Sequence, residues 1–469
     1  MNKLIGDKKF YKMMLAIAVP IMIQNGITNF VSLLDNIMVG RIGTEQMSGV
    51  AIVNQLMFVY NICIFGAISG AGIFGAQFYG KGDHDGIRHV FRFKILISLV
   101  LCILGMAVFL SGGTLLISQF LHEGSDTGDI ALALQYGRQY LTIMMIGMIP
   151  FSITQIYSST LRETGETMMP MVSSLAAVAV NMSLNWVLIF GMLGAPRLGV
   201  QGAAIATVIS RFVESVIIIA WTHRHKARNP YITGVYRSMR IPGYLVRQIM
   251  IKGTPLLLNE ALWSGGMAML TQCYSVRGLA VVAGLNISNT IANVFNVVFI
   301  AMGNAIAIIV GQLLGAGKMK EAKETDAKLI FFSVASCLCV GVVMAFIAPL
   351  FPQIYNTTDE VRELARQFIV IAALCMPLYA FANSTYFTLR AGGKTVITFL
   401  FDSVFIWAVN IPMVFVLAHY TGVNIVYVYL ACQLLDLVKC IIGFFLVKNG
   451  VWLQNIVEQE SGKSPQLQA

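Results

Sequence analysis

Residues 49–82, GVAIVNQLMFVYNICIFGAISGAGIFGAQFYGKG, return 235 residues later as residues 284–317, GLNISNTIANVFNVVFIAMGNAIAIIVGQLLGAG. The two stretches share Gly49/Gly284, Ile52/Ile287 and Asn54/Asn289 near their starts, and Gln77/Gln312, Gly80/Gly315 and Gly82/Gly317 at their ends. The same shift sets Pro20 on Pro255. So many coincidences at one offset mark an internal repeat. Beyond a small gap the repeat resumes at an offset of 228, where Leu161-Arg162-x-x-Gly165-x-Thr167 matches Leu389-Arg390-x-x-Gly393-x-Thr395.

Both copies are apolar almost throughout, and so is the rest of the chain. Of 469 residues 57% are hydrophobic and 12% charged, more apolar surface than a water-soluble core can hide. Stretches of about 20 apolar residues, the length that crosses a bilayer, occur twelve times, six in each repeat. The longest of them exceed a straight crossing and predict tilt, kinks or extensions into water. Six spans per repeat is an even number, so both copies enter the membrane from the same side and the repeats are parallel. The expected fold is an all-α integral membrane protein of twelve transmembrane helices, in two parallel-repeat six-helix bundles with a central cleft. The expected divisions are an N-terminal bundle over 1–222, a linker loop over 223–246, a C-terminal bundle over 247–450 and a tail over 451–469.

The formal net charge of +10 is a topology signal and calls for no nucleic-acid partner. With the N-terminus in the cytoplasm, the lysines and arginines before span one, after span two (Lys81, Arg88, Arg92, Lys94), in the 223–246 loop and after spans eight and ten all fall on the cytoplasmic side. Basic loops stay inside. Both termini are therefore expected in the cytoplasm, with the first helix retained as a span rather than cleaved as a signal peptide. All eight cysteines fall in apolar spans without metal or redox spacing and read as small packing residues. Gly311 to Lys318 lacks the spacing, the following Ser/Thr and the preceding strand of a P-loop. His84 and His89 beside Asp83 and Asp85 read as charge on a solvated loop rather than an enzyme's acid/base set.

The chain resembles the multidrug and toxic compound extrusion (MATE) family, part of a larger superfamily that also holds lipid-linked polysaccharide flippases. The resemblance is carried by Asp35-Asn-Ile-Met-Val-Gly40, Leu184-Asn-Trp-Val-Leu-Ile-Phe-Gly191, Pro196-Arg-Leu-Gly-Val-Gln-Gly-Ala-Ala-Ile-Ala-Thr207, Asn259-Glu260 with Trp263, and the two Leu-Arg-x-x-Gly segments. It implies secondary active export of organic, mostly cationic and amphipathic compounds, driven by inward flow of protons or sodium ions through alternating access. The partners expected are those small-molecule cations and the lipid of the cell membrane, with the chain acting as a monomer. No cofactor is expected beyond the coupling ion. The alternative is a lipid-linked oligosaccharide flippase, which needs basic groups to meet a pyrophosphate.

Ionisable groups within spans are functional by default unless paired. Arg211 with Glu214, and Asp436 with Lys439, sit three apart on a helix and are expected to pair locally. Glu260, Asp402 and Asp35 have no such helical partner. Glu260, beside Asn259, lies near the middle of span seven, and its repeat equivalent is the uncharged Asn25. A single carboxylate that cannot hold a proton and a positive passenger together couples their opposite movements. The resemblance also places an essential acid in this helix. Asp402 reads either as a site for cation or coupling ion, with sodium at Glu260 and Asp402 one option, or as half of a salt bridge. Asp35 reads as an interfacial or capping carboxylate, or as the coupling aspartate that the resemblance implies, working with Asn181 and Asn185 on span five. The sodium-coupled branch of the family has an acid in span ten, where this chain offers only Tyr379, Asn383 and Ser384. Pro20 and Pro255 kink the first helix of each bundle, as static bends or as hinges.

Overall fold

The computed structural model describes residues 4–40, 43–120 and 130–458. In hydrocarbon every backbone N–H and C=O must find a partner within its own segment, so apolar stretches of this length fold as helices. The first repeat forms α1 (Lys8–Gly40), α2 (Thr44–Lys81), α3 (His84–Phe120), α4 (Ile130–Ile146), α5 (Met148–Glu163), α6 (Met168–Phe190) and α7 (Val200–Arg224). The second forms α8 (Gly243–Ser275), α9 (Leu279–Gly315), α10 (Met319–Ile347), α11 (Asp359–Ala391), α12 (Thr395–Phe399), α13 (Ile411–Tyr420), α14 (Ile425–Leu434) and α15 (Asp436–Lys448). Between α12 and α13 the chain is π-helical over Leu400–Val404 and Ile406–Asn410.

Ten helical stretches among the described residues are long and apolar enough to cross a membrane, and the α4–α5 pair, bent by 45°, supplies an eleventh. The remaining segment of spanning length is α8, 33 residues long, whose apolarity is lowered by Asn259 and Glu260. The fourth span breaks at Gly147, whereas α11, its repeat counterpart, runs through Pro377 unbroken. The repeated Leu-Arg-x-x-Gly segments close α5 and α11 in the same way. Gly165 and Gly393 have φ of 84° and 72°, a left-handed turn that glycine adopts without steric cost. Only 28% of the most apolar window of α3 is buried, and Leu99, Ile103 and Leu110 are exposed. An apolar face turned outward is what lipid requires.

The helices pack into two units that are not contiguous in sequence. One comprises Met1–Met22, Ala76–Asp83 and Met250–Ala469, the other Ile23–Gly75 and His84–Ile249. Helix α1 thus gives its first turns to one unit and the rest to the other. In the first unit Met14 and Ala18 of α1 join Met302 and Ile306 of α9, Leu329 of α10 and Leu389 of α11 in one buried cluster that includes Trp452. Residues expected in the tail are part of this packing. Trp452 has no accessible surface, and the side chain of Gln77 donates to the carbonyls of Ala391 and Gln454 and accepts from the N–H of Ile456.

The 223–246 segment is likewise docked. Its two short 3-10 turns bury Tyr231, Ile232 and Val235 in the second unit, and α3 clips them from beneath. Arg88 donates to the carbonyl of Tyr231, and Arg92 to those of Val235 (2.8 Å), Gly234 (3.1 Å) and Arg240 (3.4 Å). Arg88, Arg92 and Lys94 stand on α3 itself, not in a loop after span two. Helical hydrogen bonding starts as early as His84 because nothing in that polar turn interrupts it.

Candidate functional site

The first unit gathers three acids and two bases around one asparagine. Asn259 and Glu260 follow one another on α8, so their side chains leave the helix about 100° apart. Asn259, 2% exposed, donates through Nδ2 to Asp402 Oδ2 (3.1 Å) and Tyr386 Oη (3.4 Å). Its Oδ1 accepts from the N–H and the hydroxyl of Ser403 (3.3 and 2.7 Å). The π-helical stretch departs from the usual α-helical ladder at this point, a feature common at functional sites. Glu260 lies near Tyr386 and in the field of Arg390 and Asp402. Arg390 lies beside Tyr386 and over the ring of Phe387, 5.3 Å from its centroid, within reach of a cation–π contact.

Asp402 has a basic partner after all. Lys439 Nζ lies 3.5 Å from Asp402 Oδ1 and 3.7 Å from Asp436 Oδ1, over the ring of Phe405 at 5.2 Å. The pair expected on α15 is therefore a triad, because one buried ammonium serves both acids that flank it. Among the described residues, Lys439 pairs with Asp402 and Asp436, and Arg390 acts on Glu260 through its field, three carboxyls to two bases. Asn383 is not part of this cluster. It lies on α11 against Gly303 of α9, its Oδ1 buried and without a hydrogen-bond partner. No three His, Cys, Asp or Glu side chains gather to hold a metal among the described residues.

In the second unit Asn181 and Asn185 form a polar chain across α6 and α7. Asn185 donates to Asn181 Oδ1 (3.1 Å), and Asn181 donates to Thr207 Oγ1 (3.3 Å). The backbone of Asp35 is in α1, but its side chain lies outside the described residues, so its expected partnership with this chain rests on the sequence alone. Arg211 and Glu214 do not form the expected local ion pair. Arg211 turns to the carbonyl of Gly147 (3.3 Å) and the ring of Phe151 (5.1 Å), while Glu214 accepts from Ser174 in the field of Arg211 and Arg162. The carbonyl of Gly147, at the bend, also accepts the N–H of Phe151, and Arg211 adds a second hydrogen bond to it. Pro20 and Pro255 lie inside unbroken helices, and the units divide after Met22 on α1 and after Ile249 on α8.

Three buried ionisable side chains escaped the sequence reading: Lys94, Glu163 and Asp326. Lys94, with no accessible surface, meets both oxygens of Glu163 at 2.7 Å and the hydroxyls of Ser159 and Thr160 at 3.0 and 3.1 Å. Glu163 lies within the repeated Leu-Arg motif, where Ala391 stands in the other copy; that substitution was the available signal. Asp326, fully buried on α10, stands at the edge of its apolar run rather than inside it.

Architecture and site together define a polytopic membrane transport protein. The MatE family model matches residues 20–187 and 255–430, which are the two repeats, and the chain belongs to this family of transporters. It is 23% identical over 412 residues to the probable multidrug resistance protein NorM of Thermotoga maritima, covering 87% of this chain and 86% of that one. To the probable multidrug resistance protein YoeA of Bacillus subtilis it is 25% identical over 415 residues, 87% of each chain. Its fold matches a multidrug resistance MATE family transporter of the MOP superfamily in the outward-facing conformation, with a TM-score of 0.85 at 20% identity over 96% of this chain and 98% of that one. A MATE structure in the straight conformation matches with a TM-score of 0.84 at 19% identity, again over 96% and 98%.

Proposed function

We propose that the chain is a secondary active multidrug efflux antiporter of the cell membrane, exporting organic, mostly cationic and amphipathic compounds in exchange for protons or sodium ions by alternating access. The observation that carries this reading is the surplus carboxyl in the first unit. A group of three acids against two bases, inside a membrane-spanning bundle, is incomplete without a positive passenger. A proton or an organic cation completes it, and the two compete for the same charge. Of the coupling ions, the proton is favoured here. A hard metal cation needs several oxygens around it, and the oxygens of Asp402 are already engaged by Asn259 and Lys439. The names of the relatives support drug export, and the distribution of basic residues supports cytoplasmic termini.

A flippase would need basic side chains left available to a pyrophosphate. The buried ones turn inward instead: Lys94 to Glu163, Arg162 to Gln24 at 2.6 Å, Arg390 to Tyr386. The deciding experiment is dye efflux in everted vesicles with proton and sodium gradients imposed separately, for the wild type and Glu260→Gln. Efflux should follow the proton gradient and collapse in the variant. Undiminished gradient-driven efflux in Glu260→Gln removes Glu260 from the mechanism.

A further inference from the structure

Asp326 is a buried acid that the cluster around Asn259 does not use. It has no accessible surface and touches α11 through Thr388, whose Oγ1 lies 2.6 Å from Asp326 Oδ1. The Thr388 hydroxyl has one proton and two candidate acceptors, since the carbonyl oxygen of Ser384, one turn back, is 3.0 Å away. A helical threonine commonly gives its proton to that carbonyl. Its oxygen is then the acceptor, and the proton between Thr388 and Asp326 belongs to the carboxyl. The second oxygen, Oδ2, has no hydrogen-bond partner. A full charge left there without a donor is far costlier than the oxygen of a neutral acid.

Among the described residues no base offsets that charge. Helix α9, which packs on α10, carries no ionisable side chain. On α11 Arg390 is held by Tyr386 and Phe387. On α10 itself Lys323 donates to the carbonyl of Lys448, Lys328 lies over the ring of Phe10, and Glu321 pairs with Lys318. The hydroxyls of Ser333 and Ser384, both fully buried, also lack partners. Ser333 is two turns from Asp326 along one face of α10, and Ser384 one turn from Thr388 on α11. Unused hydroxyls therefore continue from the carboxyl into the span.

We propose that Asp326 is a second proton site of the first unit, holding its proton in this conformation and releasing it to the cytoplasm during the transport cycle. This rests on the antiport reading above. Asp326 is the eighth residue of α10, about 10 Å from its N-terminal end, which the distribution of basic residues assigns to the cytoplasm. That is where an exporter driven by inward proton flow discharges. On release the O–H bond of the carboxyl breaks, the proton passes to water, and the carboxylate takes the hydrogen bond of Thr388.

Infrared spectroscopy of the full chain in liposomes tests the site without transport. A protonated-carboxyl band at neutral pH should vanish in Asp326→Asn, persist in Glu260→Gln and shift in Thr388→Val, which also serves should Asp326→Asn fail to fold. A spectrum that neither Asp326→Asn nor Thr388→Val alters overturns the proposal. Asp326→Asn should slow proton-driven efflux by about tenfold or more while dye binding is retained; efflux with the wild-type rate and pH profile makes the neutral acid merely structural and overturns the release step. Failure of the antiport reading looks different: no imposed gradient drives efflux even in the wild type, whatever the band does.

Discussion

Gly80 and Gly315, equivalent positions of the two repeats, each lie against the backbone of the other's helix. A Cβ on Gly80 would fall 1.8 Å from the carbonyl oxygen of Gln312, and one on Gly315 would fall 1.9 Å from that of Gln77. The repeated Gln-x-x-Gly is thus a reciprocal crossing of α2 and α9, and the glycines are what let two backbones meet. Gly80→Ala and Gly315→Ala should each lower stability by about 1–3 kcal/mol, the usual range for overpacking. Because either methyl parts the same crossing, the double variant should cost little more than one single. Thermal unfolding in detergent measures all three.

Lys94 and Glu163 form the most enclosed ion pair described. Removing one partner strands a buried charge, so Lys94→Met or Glu163→Leu should each cost about 3–5 kcal/mol. Replacing both with apolar residues should recover most of the loss. A double-mutant cycle on melting temperature checks it, and additive losses would show that the two side chains do not depend on each other.

Lys439 neutralises two acids at once. Lys439→Met should lose up to about 3 kcal/mol, and Asp436→Asn added to it should restore part of that by leaving Asp402 as the single unmatched carboxyl. Recovery is read from the yield and melting temperature of the purified protein. A Lys439→Met protein as stable as the wild type would contradict the shared-ammonium geometry.

Arg92 fastens three carbonyls of the 223–246 segment with one guanidinium. Lysine presents a point charge and cannot span them. Both Arg92→Ala and Arg92→Lys should therefore speed tryptic cleavage after Arg237 and Arg240, with the alanine variant faster. Peptide mapping against time measures it, and cleavage at the wild-type rate would mean that the buried Tyr231 and Val235 hold the segment unaided.

The fold was legible because it follows from quantities that a sequence carries locally: apolar length, basic loops and a fixed repeat offset. The site was legible only as single residues. Glu260 and Asp402 stood out as charges in apolar runs, but Asn259, which ties Asp402 to α8, is an ordinary polar residue in sequence. The choice of Lys439 between two acids depends on the π-helical stretch around Asp402, whose turn length no apolar periodicity announces. Local spacing misled where tertiary acceptors competed. Arg211 donates to the carbonyl of Gly147 on α4–α5 rather than to Glu214, an acceptor brought near by tertiary packing. Asp326 was hidden by a boundary, since the chain is polar and charged from Lys318 to Lys328 and turns apolar only after it, whereas α10 begins at Met319.

The division of α1 between units also sets an order of events during synthesis. Met14, Ile17 and Ala18 leave the ribosome hundreds of residues ahead of α9, α10 and α11, the helices that bury them. Until those arrive, the opening turns of the chain lack the helices that bury them, and the unit they belong to cannot close. A ribosome stalled in the 223–246 segment would hold an N-terminal half whose first helix still waits for its neighbours, so the finished core is assembled from both ends of the polypeptide at once.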